Sequence, residues 1–347
     1  MSEISFRSDN VATVSPEILR ALEAVNQGPA ASYGEDAWSQ ALNRSFSGLF
    51  ETDLAVFPVS TGTAANALGL AACVRPYGGI FCHEHAHIHT AEGGATEAFT
   101  GGAKLLPLPG EQFRLSPDSL QQAVDRAEWG VRNRAQPDAV SITQASEHGT
   151  VYRLDEIAAL GEIARGAGLK FHMDGARFAN ALATLGSTPA EMTWRRGVDI
   201  LSFGATKNGA MSTEAIVVFD PSLVEPLSYR LRRAGQTWSK MRFAAAQLIA
   251  YVEDGLYLRL AGRANALAGR LAQAMAAVPS VSLLAPVEAN LVFLSLPPAM
   301  IDALLAAGIK LGRRSERVIR LVTRFDGREE DIDRLVEIAR GAARAGA

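Results

Sequence analysis

Cysteine is nearly absent. Of 347 residues only Cys73 and Cys82 carry a thiol. Two thiols build no disulfide framework, so the chain must hold itself by an apolar core and suits a reducing, cytoplasmic compartment. Also missing is any apolar run near the ~20 residues that span a bilayer. The N-terminus, Met1-Ser-Glu-Ile-Ser-Phe-Arg7, has no basic stretch leading into an apolar one, so no secretory leader is expected. No block of Lys and Arg stands out, the formal net charge is -3 and the pI about 6.1. Nothing therefore favours nucleic acid or an anionic membrane as partner. The nucleotide fingerprints G-x-G-x-x-G and G-x-x-x-x-G-K-[ST] are lacking, as are internal repeats and low-complexity segments.

What is present is enough apolar material for a large core, with 48% hydrophobic residues. Apolar strand candidates recur at Leu54–Phe57, Lys104–Leu108, Asp138–Thr143, Leu169–Met173, Val198–Phe203 and Glu214–Phe219. Helical segments separate most of them, among them Leu154–Ala167. Such alternation implies right-handed crossovers and a mainly parallel α/β sheet. After Trp238 the pattern changes. A helix-rich stretch to about Val278 precedes strands at Ser280–Leu284, Asn290–Leu294 and Val318–Val322, and a closing helix follows Arg328. We expect a large unit, 1–250 including the N-terminal segment, and a small C-terminal α+β unit, 251–347.

Three stretches carry chemistry. Val198-Asp-Ile-Leu-Ser-Phe-Gly-Ala-Thr-Lys-Asn-Gly-Ala210 places Lys207 just past a strand, where burial would lower its pKa toward that of a Schiff-base amine. Leu169-Lys-Phe-His-Met-Asp-Gly-Ala-Arg177 ends another strand in Asp174. A lysine and an aspartate delivered to one sheet edge are what pyridoxal phosphate (PLP) requires, the carboxylate holding the pyridine nitrogen protonated. Ser60-Thr-Gly-Thr-Ala-Ala-Asn66 reads as a Gly turn opening a helix, whose N–H groups and dipole suit a phosphate. Taken singly, Lys207 also reads as a surface loop residue and Gly62-Thr63 as an ordinary turn.

Four of the six histidines lie in Gly79-Ile-Phe-Cys-His-Glu-His-Ala-His-Ile-His89. His83-Glu84-His85-Ala86-His87 formally satisfies H-E-x-x-H, which keeps a zinc hydrolase open as an alternative of another class. That chemistry needs a helix. Alternation at 83, 85, 87 and 89 instead suits an extended strand and loop, so no metal is expected. Arg320 interrupts an apolar strand, either as an ion-paired edge residue or as a carboxylate clamp.

Together with Arg7-Ser-Asp9, Tyr33-Gly-Glu-Asp36, Glu92-Gly-Gly94 and Arg320-Leu-Val-Thr323, these stretches resemble the threonine aldolases of the aspartate-aminotransferase-like PLP enzymes over nearly the whole chain. The resemblance implies a large domain with a seven-stranded-type sheet and a small C-terminal domain. It implies retro-aldol cleavage of L-threonine and related L-β-hydroxy-α-amino acids, such as L-allo-threonine or phenylserine-like substrates, to glycine and an aldehyde. Lys207 would bond to the cofactor, Asp174 would pair with the pyridinium, and Gly62, Thr63 and Arg242 would hold the phosphate, Arg242 from a neighbouring subunit. His87 would stack on the ring and serve as base for the β-hydroxyl, directly or through a water. Ser8, Arg177 and Arg320 would surround the substrate carboxylate, and Tyr33 would reach a site shared across a dimer interface of a homotetramer. Departures are Thr206 for serine, Gln144-Ala-Ser-Glu-His-Gly149 for Glu-Asn-Thr-His-Asn, which leaves the role of His148 open, and Arg324 for histidine. β-Elimination or transamination on the same scaffold, and PLP binding without catalysis, remain open.

Overall fold

The structure, a computed structural model, describes residues 4–345. Met1–Glu3, on which the leader reading partly rests, lie outside the described residues. Seven strands form the large sheet: β1 (Ala55–Val59), β2 (Gly78–His83), β3 (Lys104–Leu108), β4 (Gln136–Thr143), β5 (Lys170–Gly175), β6 (Ile200–Phe203) and β7 (Glu214–Val218). Their order is β1-β7-β6-β5-β4-β2-β3. Every pairing from β6 through β3 is parallel, and β7 alone runs antiparallel to both neighbours. The alternating strands and helices of the sequence thus become the expected mainly parallel sheet.

Burial explains why the strands read as continuous apolar runs. All residues of β2, β6 and β7 are buried, as helices cover both faces. Phe203, at the end of β6, is fully buried and meets Phe46 edge-on at 5.2 Å and Tyr251 at 5.9 Å between centroids. Each such side chain contributes on the order of 1.5–3 kcal/mol by leaving water. The aromatic packing fixes the base of the loop that carries Lys207.

A second antiparallel sheet follows: β8 (Ser282–Leu283), β9 (Leu291–Ser295), β10 (Gly312–Arg313) and β11 (Val318–Val322), in the order β10-β11-β9-β8. It has its own core, including Leu271, Met275, Leu294, Ile301, Ile319 and Leu335. Phe6 packs into this second core, and Ser5 bridges Lys310. The N-terminal segment is thereby tied to the small sheet while its next residues reach the large one. The helix-rich stretch around residue 250 holds two helices, Arg242–Val252 and Leu256–Ala276, broken at Asp254 and Gly255, both with positive φ. The second runs from the first core, through Leu256 and Ala261, to the second, through Leu267 and Leu271.

One local expectation fails. The histidine segment is not extended throughout. His83 closes β2, but His87–Thr90 is a helical turn. Ala86 carbonyl accepts the N–H groups of His89 and Thr90, so the chain rolls over rather than continuing the strand.

Candidate active site

The carboxyl ends of β4, β5 and β6, with the start of the helix Gly62–Cys73, surround a cavity of about 310 Å³. Lys207, Asp174, Arg177, His87, Gly62 and Thr63 all line it. β5 and β6 are adjacent and parallel, with Asp174 opposite Ser202, so Asp174 and the loop to Lys207 leave the same edge. The loop can approach only because residue 204 is glycine: a Cβ there would stand 2.6 Å from the Ala176 carbonyl oxygen. Past the lysine, Gly209 takes φ 112°, which favours glycine. Between them Asn208 is buried and donates to the Tyr251 hydroxyl (2.7 Å) and the Tyr257 carbonyl (2.9 Å). Glu214, buried at the start of β7, accepts the Ala205 N–H at 2.6 Å. Lys207 is thus presented, half-buried, by a loop pinned on both sides.

Asp174 is 3% exposed. Its Oδ1 accepts the Ala176 N–H at 3.0 Å, and its Oδ2 accepts from Asn66 Nδ2 at 2.9 Å. The same Asn66 nitrogen donates to Glu92 Oε1 (2.8 Å), which also meets His87 Nδ1 at 2.9 Å. A hydrogen-bonded chain therefore runs from Asp174 to the imidazole. The Glu92 bond, working against burial, holds the His87 pKa above its ordinary value. Behind Asp174, His172 lies between the hydroxyls of Ser141 (2.8 Å) and Ser202 (3.0 Å), and burial brings its pKa down to about 4, so the ring is neutral.

At the phosphate end, Thr61 caps the helix through the Ala64 N–H at 3.1 Å. The first N–H groups of a helix have no intrahelical partner, which leaves those of Gly62 and Thr63 for an anion. At the other end, Arg177 makes a two-pronged ion pair with Asp9, at 2.8 and 2.9 Å, and Asn290 adds a bond to the same carboxylate at 3.0 Å. Burial raises the Asp9 pKa, but Arg177, Lys207 and Asn290 outweigh it and the net shift is downward. This pair contributes stability above the ordinary Asp pKa and loses it as pH falls through the lower folded value. Asp9→Ala leaves Arg177, only 14% exposed, without its partner. We expect a loss of about 3–5 kcal/mol, read by urea unfolding near neutral pH. A loss under about 1 kcal/mol would refute the buried-pair reading.

Other expected residues lie outside the cavity lining. Ser8 caps the short turn Asp9–Val11 by accepting the Asn10 N–H. Arg320 donates to the Arg7 carbonyl at 3.3 Å. Burial with the neighbouring charges Arg314 and Arg177 pushes its pKa down to about 10. Tyr33 is 51% exposed beneath the Arg232 guanidinium. Arg242 opens the helix Arg242–Val252, and its Nε has no partner.

The histidines of the zinc alternative are differently employed. His83 Nε2 meets the Gly110 carbonyl at 3.1 Å and its ring stacks on Phe113. His85 and His148 also pack on Phe113, and His148 meets Phe293 edge-on. Among the described residues no group of three or more His, Cys, Asp and Glu could hold a metal ion.

Glu147, Glu214 and Asn290 have contacts at the site that sequence reasoning did not assign. Their only signal is position: Glu147 follows β4, Glu214 opens β7 and Asn290 immediately precedes β9, places shared with many inert polar residues.

The fit to pyridoxal phosphate is good on the cavity's own terms. It offers an amine, a buried carboxylate for a protonated ring nitrogen, a helix N-terminus for a phosphate, and orphaned buried acceptors at Glu92 Oε2 and Asn66 Oδ1.

Comparison with known proteins agrees. The sequence profile of the beta-eliminating lyases matches residues 5–297. A low specificity L-threonine aldolase of Pseudomonas aeruginosa is 44% identical over 96% of each chain, and one from a Pseudomonas species is 45% identical over 86% of each. A threonine aldolase structure from Leishmania major superposes with a TM-score of 0.91 at 26% identity, covering 98% of this chain and 99% of that one. At 13% identity, a Sphingomonas wittichii serine palmitoyltransferase shares the fold, with a TM-score of 0.72 over 99% of this chain and 88% of that one.

Proposed function

This chain belongs to the beta-eliminating lyase family, and from that membership together with the site we infer that it is a PLP-dependent L-threonine aldolase. It cleaves L-threonine and related L-β-hydroxy-α-amino acids to glycine and an aldehyde. The observation that carries this reading is the convergence of Lys207, Asp174 and the Gly62–Thr63 helix start on one cavity.

Lys207 would hold the cofactor covalently, Asp174 its ring nitrogen, Gly62 and Thr63 its phosphate, and His87 the face of its ring. When bound, pyridoxal phosphate supplies an electron sink for the pair released at Cα. Asn66 and the Ala176 N–H hold both Asp174 oxygens and so fix the carboxylate in the cavity lining. Arg177, itself oriented by Asp9, offers guanidinium N–H groups to the substrate carboxylate. Ser8 and Arg320 stand on the same N-terminal and β11 side and would support that end. Fixing the carboxylate selects which bond at Cα is aligned for cleavage.

Two finer points are also proposals. In a single chain Tyr33 and Arg242 lie outside the cavity, and the homotetramer in which each would serve a neighbour's site rests on the resemblance to the threonine aldolases. A cytoplasmic location accords with the thiol content, and no described helix is long and apolar enough to cross a membrane. The two-unit division, 1–250 and 251–347, is kept as a reading of the two sheets and their separate cores.

The test is product analysis. Purified protein loaded with PLP and given L-threonine should release glycine and acetaldehyde in equal amounts. A keto acid instead would move the activity to β-elimination or transamination on the same scaffold.

A further inference from the structure

Glu147 lies in the loop after β4 and lines the cavity with Lys207, Asp174 and His87. Its carboxylate is used on one side only. Oε1 accepts the His87 backbone N–H at 2.7 Å and the Thr143 hydroxyl at 2.9 Å. Oε2 is shut away from solvent and has no partner. A buried carboxylate oxygen left unpaired is costly unless something else binds it. The two bonds at Oε1 fix the group, and Oε2 is left without a partner on a residue that lines the cavity.

We propose that Glu147 accepts the proton of the substrate's β-hydroxyl during carbon–carbon cleavage. This rests on the aldolase reading above. In the step, the O–H bond breaks and its proton moves to Oε2. The freed pair becomes the second bond of the aldehyde carbonyl. The Cα–Cβ bond breaks with its pair left at Cα, and one proton returns to Cα to give glycine, so the count closes.

Electrostatics agree with this assignment over His87. Burial first, then the neighbouring Asp174 charge, lift the Glu147 pKa to about 7, against the lowering effect of the His87 and Thr143 bonds. A base works best with a pKa near the operating pH. His87 is pulled the other way as an acceptor. Its Nδ1 is committed to Glu92, and its raised pKa enlarges the charged fraction that has no lone pair to offer. The other ionisable groups interacting with Glu147 are Cys82 on β2 and Tyr152 in the same loop, both with pKa values raised mainly by burial.

The experiment compares Glu147→Gln with the wild-type holoenzyme in two reactions. Exchange of the glycine α-proton with solvent uses the same cofactor site but no β-hydroxyl. E147Q should lose about 10²–10⁴-fold in L-threonine kcat/KM while keeping glycine exchange within about threefold. Because a base must be ionised, wild-type kcat/KM should climb as pH rises through about 7, and the variant should lose that limb. His87→Phe, which keeps a flat ring, should retain it.

A cofactor-free measurement runs alongside. A carboxyl whose folded pKa is raised destabilises the fold once pH passes the unfolded value. The melting temperature of E147Q should therefore gain on wild type between about pH 5 and pH 8. Threonine cleavage kept within about threefold, or cleavage and glycine exchange lost together, overturns the proposal. Wild-type protein that exchanges glycine without releasing aldehyde from threonine overturns the aldolase reading instead.

Discussion

Lys207→Ala is expected to lower L-threonine cleavage by on the order of 10⁴-fold or more, the scale seen when a covalent catalytic group is removed. The loss should be chemical and not structural. The loop is held by Asn208 against Tyr251 and by Glu214 against the Ala205 N–H, neither of which uses the lysine side chain. The variant should therefore melt within a few degrees of wild type. It should also lack the absorption band that the loaded enzyme loses on borohydride reduction, because no covalent bond remains to reduce. Glycine α-proton exchange should fall with cleavage, since both depend on the loaded site. A variant that cleaves threonine at the wild-type rate would remove Lys207 from the mechanism and with it the central reading of the site.

Much of the cavity's lining is legible in the sequence. Lys207 and Asp174 could be placed together because each ends an apolar run in an alternating βα chain, and parallel strands deliver their carboxyl ends to one edge. Gly62 and Thr63 were legible for a similar reason: a strand, a glycine turn and a small-residue helix leave free N–H groups. Strand boundaries at Lys104–Leu108 and Val318–Val322 matched because flanking residues punctuate them sharply. The histidine segment was misread because a period of two over a few residues does not separate a strand from a strand that stops and rolls into one helical turn. The role of Glu147 was invisible for a different reason. Whether a carboxylate after a strand faces solvent or folds back on a neighbouring turn depends on the His87 N–H, 60 residues away. Likewise Asp9 acquires its place from Arg177 and Asn290, which lie 168 and 281 residues away. Local pattern carries elements and edges, and long-range hydrogen bonds decide which polar groups at those edges converge.

Asp174→Asn should separate charge from shape. The amide has the size of the carboxylate, and the Ala176 N–H keeps an acceptor. At the other oxygen an NH2 group would meet the Asn66 amide. Asn66 Oδ1 has no partner, so a flip of Asn66 restores a hydrogen bond there at the expense of its bond to Glu92. The fold should survive, and what disappears is the negative charge opposite the ring nitrogen. We expect kcat for threonine to fall by about 10²–10³-fold, the scale for removing one preorganised electrostatic group. His87 should also titrate at lower pH, because Asp174 and Glu92 both favour its charged form. Glycine α-proton exchange should fall in parallel with cleavage, since both release electrons at Cα. That parallel loss is the opposite of what Glu147→Gln should show, where only the reaction with a β-hydroxyl suffers. If Asp174→Asn kept glycine exchange while losing threonine cleavage, the charge would be acting on the hydroxyl and not on the ring, and the roles of the two carboxylates would have to be exchanged.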